Sequence, residues 1–295
     1  MGVVVLTDPG TRYRQAVTDD TPDYALEGVR MEDAHRVAVH GGRTVVCVAD
    51  GHGSSKVSEG EFVGGREYAD AACHEAAHLA LKGVRPAEIF ERAQRALRAV
   101  RLPHTAWDGD ALVHLHPPTR RRTSSACGTT LSLCVLTRRR AEFSFVGDSM
   151  GVLVRPDGTH VALGTPHTVA SAPEVARMRA AGAELERRYF VSRVRGSTTR
   201  CAVSRSLGHF GNTAILQAPD TVRVALGEGD RVVIASDGLW DAVGRAEAAG
   251  VVRASTSDRD ACESLLQIAR SAAGPRDNVT VAVASPARRG GCSVM

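Results

Sequence analysis

Thr44-Val45-Val46-Cys47-Val48-Ala49-Asp50-Gly51-His52-Gly53 is the stretch from which the rest of the chain can be read. Val45 to Ala49 is an unbroken apolar run of strand length. Its lack of alternation predicts a strand buried on both faces. The run ends in the Asp50 carboxylate, and a rigid strand end holds such a side chain at a fixed place on the sheet rim. Gly51 and Gly53 then let the backbone turn and bring a carbonyl close to whatever that carboxylate holds. With His52 added, the stretch has the parts of a metal-dependent hydrolytic site. The same residues would also serve as a polar strand end leading into a turn.

Working outward, Arg36 to Val39 and the Gly41-Gly42 turn make a hairpin with this strand, which sets Glu32 and Asp33 beside Asp50. A loosely alternating strand is expected from Tyr24 to Glu32. Helical spacing follows from Glu59 to Lys82 and from Pro86 to Val100, and Leu102 to Ser125 reads as an irregular surface loop. Short β-branched segments at 129–137, 141–146, 151–155 and 160–163 predict an antiparallel meander, with Asp148 between two of them. Helix is expected from Pro173 to Ala181, from Leu239 to Val243 and from Asp260 to Ala272. Buried strands run from Asp230 to Ser236, ending at Asp237, and from Val279 to Ala284, entered from Asp277.

The 295 residues can bury a large core, and the apolar fraction of 43% with 24% charged describes a globular chain. A net charge of +4 is too weak to call for nucleic acid. Neither a signal peptide nor a membrane-spanning segment is expected. The seven cysteines lack a CxxC pair and read as reduced thiols, so a cytoplasmic location is expected.

Asp50, Asp148, Asp237 and Asp277 each stand at a strand boundary, with Glu32 and Asp33 near another. Acids converging on one rim would repel unless cations neutralise them. Oxygen donors without clustered His or Cys select Mg²⁺ or Mn²⁺. A pair of such ions can activate water and clamp a phosphoryl group. A competing signal is His74-Glu75-Ala76-Ala77-His78, a literal HExxH on a helix, which would make the chain a zinc hydrolase if a third ligand were present.

Met31-Glu32-Asp33-Ala34-His35, Asp50-Gly51-His52-Gly53, Cys127-Gly128-Thr129-Thr130, Gly147-Asp148-Ser149, Ala202-Val203-Ser204-Arg205-Ser206-Leu207-Gly208, Ser236-Asp237-Gly238-Leu239-Trp240-Asp241 and Asp277-Asn278-Val279-Thr280 stand in order along the chain. This series resembles the motifs of the metal-dependent, type-2C (PPM family) protein serine/threonine phosphatases. The resemblance implies an α+β fold in which two antiparallel β-sheets form a central sandwich flanked on both sides by helices. The expected domain covers residues 19–286, preceded by an N-terminal segment at 1–18 and followed by a flexible tail at 287–295.

The resemblance also implies hydrolysis of phosphoserine and phosphothreonine in proteins by a hydroxide bridging two Mg²⁺ or Mn²⁺ ions. Asp50 corresponds to the bridging ligand, and Gly51 offers a backbone carbonyl. Asp237 and Asp277 hold one ion and Glu32 the other, while Asp148 belongs to a third, weaker one. Asp33 and Asp241 orient water beside the ions. His52 is the general acid, expected as an imidazolium near neutral pH, and Arg30 contacts the substrate phosphate.

Departures from the pattern occur at three places. Gly28-Val29-Arg30 runs into Met31 two residues early, His209 stands where an Asp is usual, and 195–201 carries extra residues. These departures leave room for a catalytically weak, regulatory member of the same fold. The final Cys292-Ser293-Val294-Met295 has the CaaX form that directs farnesylation of Cys292, which would bring the protein to a membrane reversibly. Phosphoprotein substrates are the expected partners of a monomer.

Overall fold

The computed structural model describes residues 2–10, 31–53, 55–58, 61–116, 121–272 and 277–286. Arg30, most of the expected strand from Tyr24, and the Cys292 tail lie outside them.

The central strand Arg43–His52 is buried on both faces, as its composition requires. Val46 and Val48 point into a core shared with Phe143, Phe145, Met150, Val232, Ile234 and Ala282. Val45, Cys47 and Ala49 point the other way, onto Tyr68, Ala72 and Ala76 of the helix Gly65–Leu81 and onto Phe90 of the helix Pro86–Leu97. A side-chain period of two thus sends alternate residues of one apolar run into two different cores.

The strand belongs to a seven-stranded sheet. It is flanked there by Asp33–His40 on one side and by the hairpin Leu131–Leu136 with Arg140–Val146 on the other, all antiparallel. The opposing five-stranded sheet runs Gly2–Asp8, Val279–Ser285, Arg231–Ala235, Met150–Val154, His160–Ala162. Its outer face repeats the device. Val233, Val281 and Val283 meet Ala249, Val252, Cys262 and Leu265 from the helices Arg245–Ala254 and Asp258–Ser271. The result is a sheet-on-sheet sandwich between two helical layers.

Several expectations need correction. The N-terminal segment 1–18 does not stay outside the domain: Gly2–Asp8 pairs along its length with Val279–Ser285 as an edge strand of the five-stranded sheet. Its Val3 and Val5 pack on the sandwich core, and Val4 and Leu6 pack on the helical side. Leu102 to Ser125 is not irregular: Thr105–Asp108, Ala111–His116 and Arg121–Ser124 form a small antiparallel sheet. Its strands are too short, and too rich in His and Arg, to show a clear apolar period. The meander is split at 147–149. The hairpin before it lies in one sheet and the hairpin after it in the other, because a sandwich lets a chain change layer wherever a turn reaches across. The helix Arg245–Ala254 had no expectation behind it, since its Ala-Gly composition carries little amphipathic signal.

Candidate metal centre

The change of sheet at 147–149 puts Asp148 on the seam of the sandwich. Asp50, Asp237 and Asp277 come to the same end of it. Together with Glu32, Gly51, His52, Thr130 and Asn278 these four acids line a cleft of about 220 Å³. Each is held by local structure. The Asp50 backbone N–H donates to Thr130 Oγ1 at 2.9 Å, and the Thr130 N–H donates to the Asp50 carbonyl at 2.9 Å. Asp237 opens the short helix Asp237–Trp240, closed by the Asp241 N–H on the Asp237 carbonyl at 2.7 Å. Trp240 pins that helix by donating its indole N–H to the Ala235 carbonyl at 3.1 Å. The Asp277 carboxylate accepts from the Asn278 N–H at 2.9 Å.

Gly51 is required by close approach. A Cβ there would overlap the backbone of Gly65, where the first helix begins. The buried Glu32 is fixed through its N–H, which donates to Asn278 Oδ1 at 2.7 Å; the same amide donates from Nδ2 to the Pro9 carbonyl at 2.8 Å. Asp33 pairs in register with Asp50 and lies below the cleft. Its Oδ2 accepts from Ser236 Oγ at 2.7 Å, and Arg66 donates to its backbone carbonyl.

The electrostatics are those of crowded acids. Burial, then the charges of Asp237, Asp33, Asp277 and Asp148, push the Asp50 carboxyl well above the usual carboxylate range. Burial with Asp148, Asp277 and Asp241 does the same to Asp237. Asp33 is pushed up to about 7, mainly by burial. Asp148 rises to about 6, again mainly by burial, with Arg188 opposing. Among the described residues, the buried oxygens Asp33 Oδ1 and Asp237 Oδ1 have no hydrogen-bond partner. Buried, mutually repelling carboxylates with orphaned oxygens are what a hard divalent cation relieves. The donor set therefore fits Mg²⁺ or Mn²⁺.

His52 is half-buried, and its Nε2 lies 2.8 Å from His209 Nε2 and 3.3 Å from Ser206 Oγ. Burial lowers its pKa to about 4. The expectation of an imidazolium near neutral pH therefore does not hold for the free protein, in which a charged ring would lose its hydration. Asp241 stays exposed beside the neighbouring groove that Asp148 and Asp237 also line. The helix carrying the HExxH match turns His74 and His78 outward to solvent, and Glu75 pairs with Arg92 at 3.7 Å. Among the described residues no third ligand stands near them.

Arg205, inside one of the recognised motifs, is structural. It bridges Glu174 at 2.5 Å and Asp220 at 2.8 Å. Sequence reasoning missed the roles of Thr130, Ser236 and Asn278, although each sits inside a recognised motif. It also missed Arg188, Arg200 and Cys201, which reach the cleft from the small sheet Glu184–Glu186, Tyr189–Val194 and Ser197–Cys201. Nothing local in the sequence marks those three.

A family description, Protein phosphatase 2C, matches residues 30–279. The chain is 30% identical over 266 residues to a probable protein phosphatase 2C 74 of Oryza sativa subsp. japonica, covering 86% of this chain and 61% of that protein. It is 26% identical to a protein kinase and PP2C-like domain-containing protein of Arabidopsis thaliana, with 94% of this chain and 40% of that one covered. The chain thus spans less than two thirds of the length of either. Among solved structures, the S. agalactiae serine/threonine phosphatase superposes with a TM-score of 0.60 at 18% identity, covering 96% of this chain and 98% of that one. A C. elegans sex determining protein superposes with a TM-score of 0.62 at 17% identity, covering 96% and 64%. At such identities the likeness is one of fold.

Proposed function

Because the chain belongs to the protein phosphatase 2C family, we propose that it hydrolyses phosphoserine and phosphothreonine in proteins with the help of Mg²⁺ or Mn²⁺. The observation that carries this reading is the convergence of Asp50, Asp148, Asp237 and Asp277 at one end of the sandwich, where crowding raises the carboxyls of Asp50, Asp148 and Asp237 and leaves one buried oxygen of Asp237 without a partner. Asp50, Asp237, Asp277, Glu32 and the Gly51 carbonyl would hold two ions, and Asp148 a weaker third. Bound there, the ions would supply an activated water and neutralise phosphate charge.

The remaining chemistry falls to the chain itself. Asp33 Oδ1, which makes no well-aligned hydrogen bond among the described residues, would accept one from a water and orient it. Arg188, and Arg200 beside its ion pair with Glu186 at 3.0 Å, bring positive charge to a cleft that also holds Glu32, Asp50, Asp148, Asp237 and Asp277, and so draw in a phosphorylated segment. His52 Nε2 stands at the cleft wall to give a proton to the departing seryl or threonyl oxygen. Burial keeps that ring neutral until the phosphate dianion arrives beside it, and the dianion favours the charged form.

The deciding test is phosphate release from a phosphothreonine peptide with Mn²⁺, with and without chelator. Asp50→Ala is expected to lower turnover by about 1,000-fold or more, and His74→Ala to leave it unchanged. Activity that survives both Asp50→Ala and Asp237→Ala would overturn the reading. Metal binding without phosphate release would instead favour a regulatory member of the family. Arg188→Ala should raise KM for the phosphopeptide by about fivefold while kcat stays near its starting value, the signature of lost ground-state binding. A kcat loss at constant KM would place Arg188 in the transition state instead.

A further inference from the structure

Two of the imidazoles and one of the thiols meet at a single point that the phosphatase reading does not use as a site. His52 Nε2 lies 2.8 Å from His209 Nε2, and Cys201 Sγ lies 3.6 Å from His209 Nε2 and 3.9 Å from His52 Nε2. These three ligand atoms fall within 4.8 Å of one another. We propose that His52, Cys201 and His209 form a soft-metal site that takes Zn²⁺, and that filling it withdraws His52 from proton donation.

Geometry and donor chemistry support this together. Tetrahedral zinc with Zn–N of about 2.0–2.1 Å and Zn–S of about 2.3 Å sets nitrogens about 3.3 Å apart and nitrogen and sulfur about 3.6 Å apart. The thiol already stands close to that spacing, and the two nitrogens need to open by only about half an ångström. Two imidazoles and a thiolate select a borderline-soft ion, whereas the oxygen-only cluster beside them selects a hard one. The two sites therefore sort different cations.

Each ligand comes from a fixed piece of backbone. His52 ends the central strand, and Cys201 ends the strand Ser197–Cys201. His209 sits at a φ of 47°, with its N–H donating to the Cys127 carbonyl at 2.8 Å. Cys201 and His209 are buried, while His52 and Cys201 line the cleft, which leaves a fourth position open to water. On binding, the Cys201 thiol gives its proton to solvent as the sulfur–zinc bond forms, and both imidazoles offer the Nε2 lone pair. The Nε2 of His52 is then committed to the ion and has no proton to give.

The inhibitory part rests on the role given to His52 above, whereas the site itself does not. The experiment therefore has two arms on the full chain. With Mg²⁺ saturating, Co²⁺ is titrated as a spectroscopic probe. One equivalent should produce tetrahedral visible bands and a thiolate-to-cobalt charge-transfer band, and Zn²⁺ should displace both.

Cys201→Ser should abolish the charge-transfer band and weaken Zn²⁺ binding by more than about 100-fold, the upper end of what losing a mere supporting contact costs. In the second arm Zn²⁺ is added to phosphopeptide turnover, and each variant is compared with its own zinc-free rate. Inhibition of the unmodified protein should persist when Mg²⁺ is raised and should be lost in Cys201→Ser. His209→Gln serves as a second variant with the same expected loss of binding should Cys201→Ser fail to fold. No charge-transfer band, or equal Zn²⁺ inhibition in Cys201→Ser, would overturn the proposal, the latter by locating zinc among the carboxylates. A chain without phosphatase activity that still shows the Cys201-dependent cobalt spectrum would keep the site and remove the phosphatase reading.

Discussion

His52→Ala is expected to slow turnover of a phosphothreonine peptide by about 100- to 10,000-fold, the range that a positioned general acid supplies. An aryl phosphate, whose leaving group departs without a proton, should lose far less. The contrast follows from where the ring sits, with its Nε2 at the wall of the acid-lined cleft and its other neighbours being His209, Ser206 and Cys201. The measurement is kcat/KM for both substrates with Mn²⁺ saturating. A second signature is pH. A general acid works in its protonated form, and burial holds His52 at about 4 in the free protein. The phosphopeptide kcat/KM should therefore fall as pH rises from about 5 to 8, while the aryl phosphate profile lacks that His52-dependent slope. Equal losses on both substrates would mean that His52 only supports the cleft.

Asp237→Asn should abolish Mn²⁺-dependent turnover and at the same time make the protein more stable in chelator. Asp237 is half-buried among acids that raise its pKa, and one of its oxygens is buried and unpartnered. Removing its charge lightens the load on Asp50 and Asp148 as well. The sign of the pH dependence follows. Asp33, raised from 3.8 to about 7, holds its proton in the folded state over a window where the unfolded chain has lost it. Its stabilising share is complete below its unfolded value and disappears as pH climbs through the folded one. Stability in chelator should thus decline between about pH 4 and 7, by up to about 1.4 kcal/mol per pH unit for each such acid. Saturating Mn²⁺ should flatten or reverse that decline. Urea titrations across the window, with chelator or with Mn²⁺, check both statements. A chelated protein whose stability rises from pH 4 to 7 would contradict the account of the carboxylates.

The sandwich was legible because its strands are buried on two sides, so each announces itself as a continuous apolar run. Val45 to Ala49 and Val232 to Ala235 are of this kind. The acids were legible because each stands beside one end of a strand. What could not be read was anything set by contact between distant segments. Asn278 joins Glu32 to Pro9, Ser236 holds Asp33, and Arg188 reaches Asp148 from the small sheet beside the cleft. None of these has a local period or spacing. Gly2–Asp8 did not announce itself because its apolar run, Val3 to Leu6, is short and is followed by polar sequence. His209 was noticed as a departure from a pattern, but its partner Cys201 lies eight residues earlier with nothing in the intervening sequence to connect them.

The place where the chain passes from one sheet to the other, at 147–149, has a consequence for how this protein would change over time. Asp50 is anchored in one layer, Asp237 and Asp277 in the other, and Asp148 on the join, so bound ions would act as a rivet through both. A substitution that lets the layers slip, such as a smaller side chain at Phe145 or Ile234, would then be felt first as weaker ion affinity, well before the chemistry at a filled site changed. Variants that look catalytically impaired at limiting Mg²⁺ would recover when the ion is plentiful, and the layers' alignment would be the trait under selection.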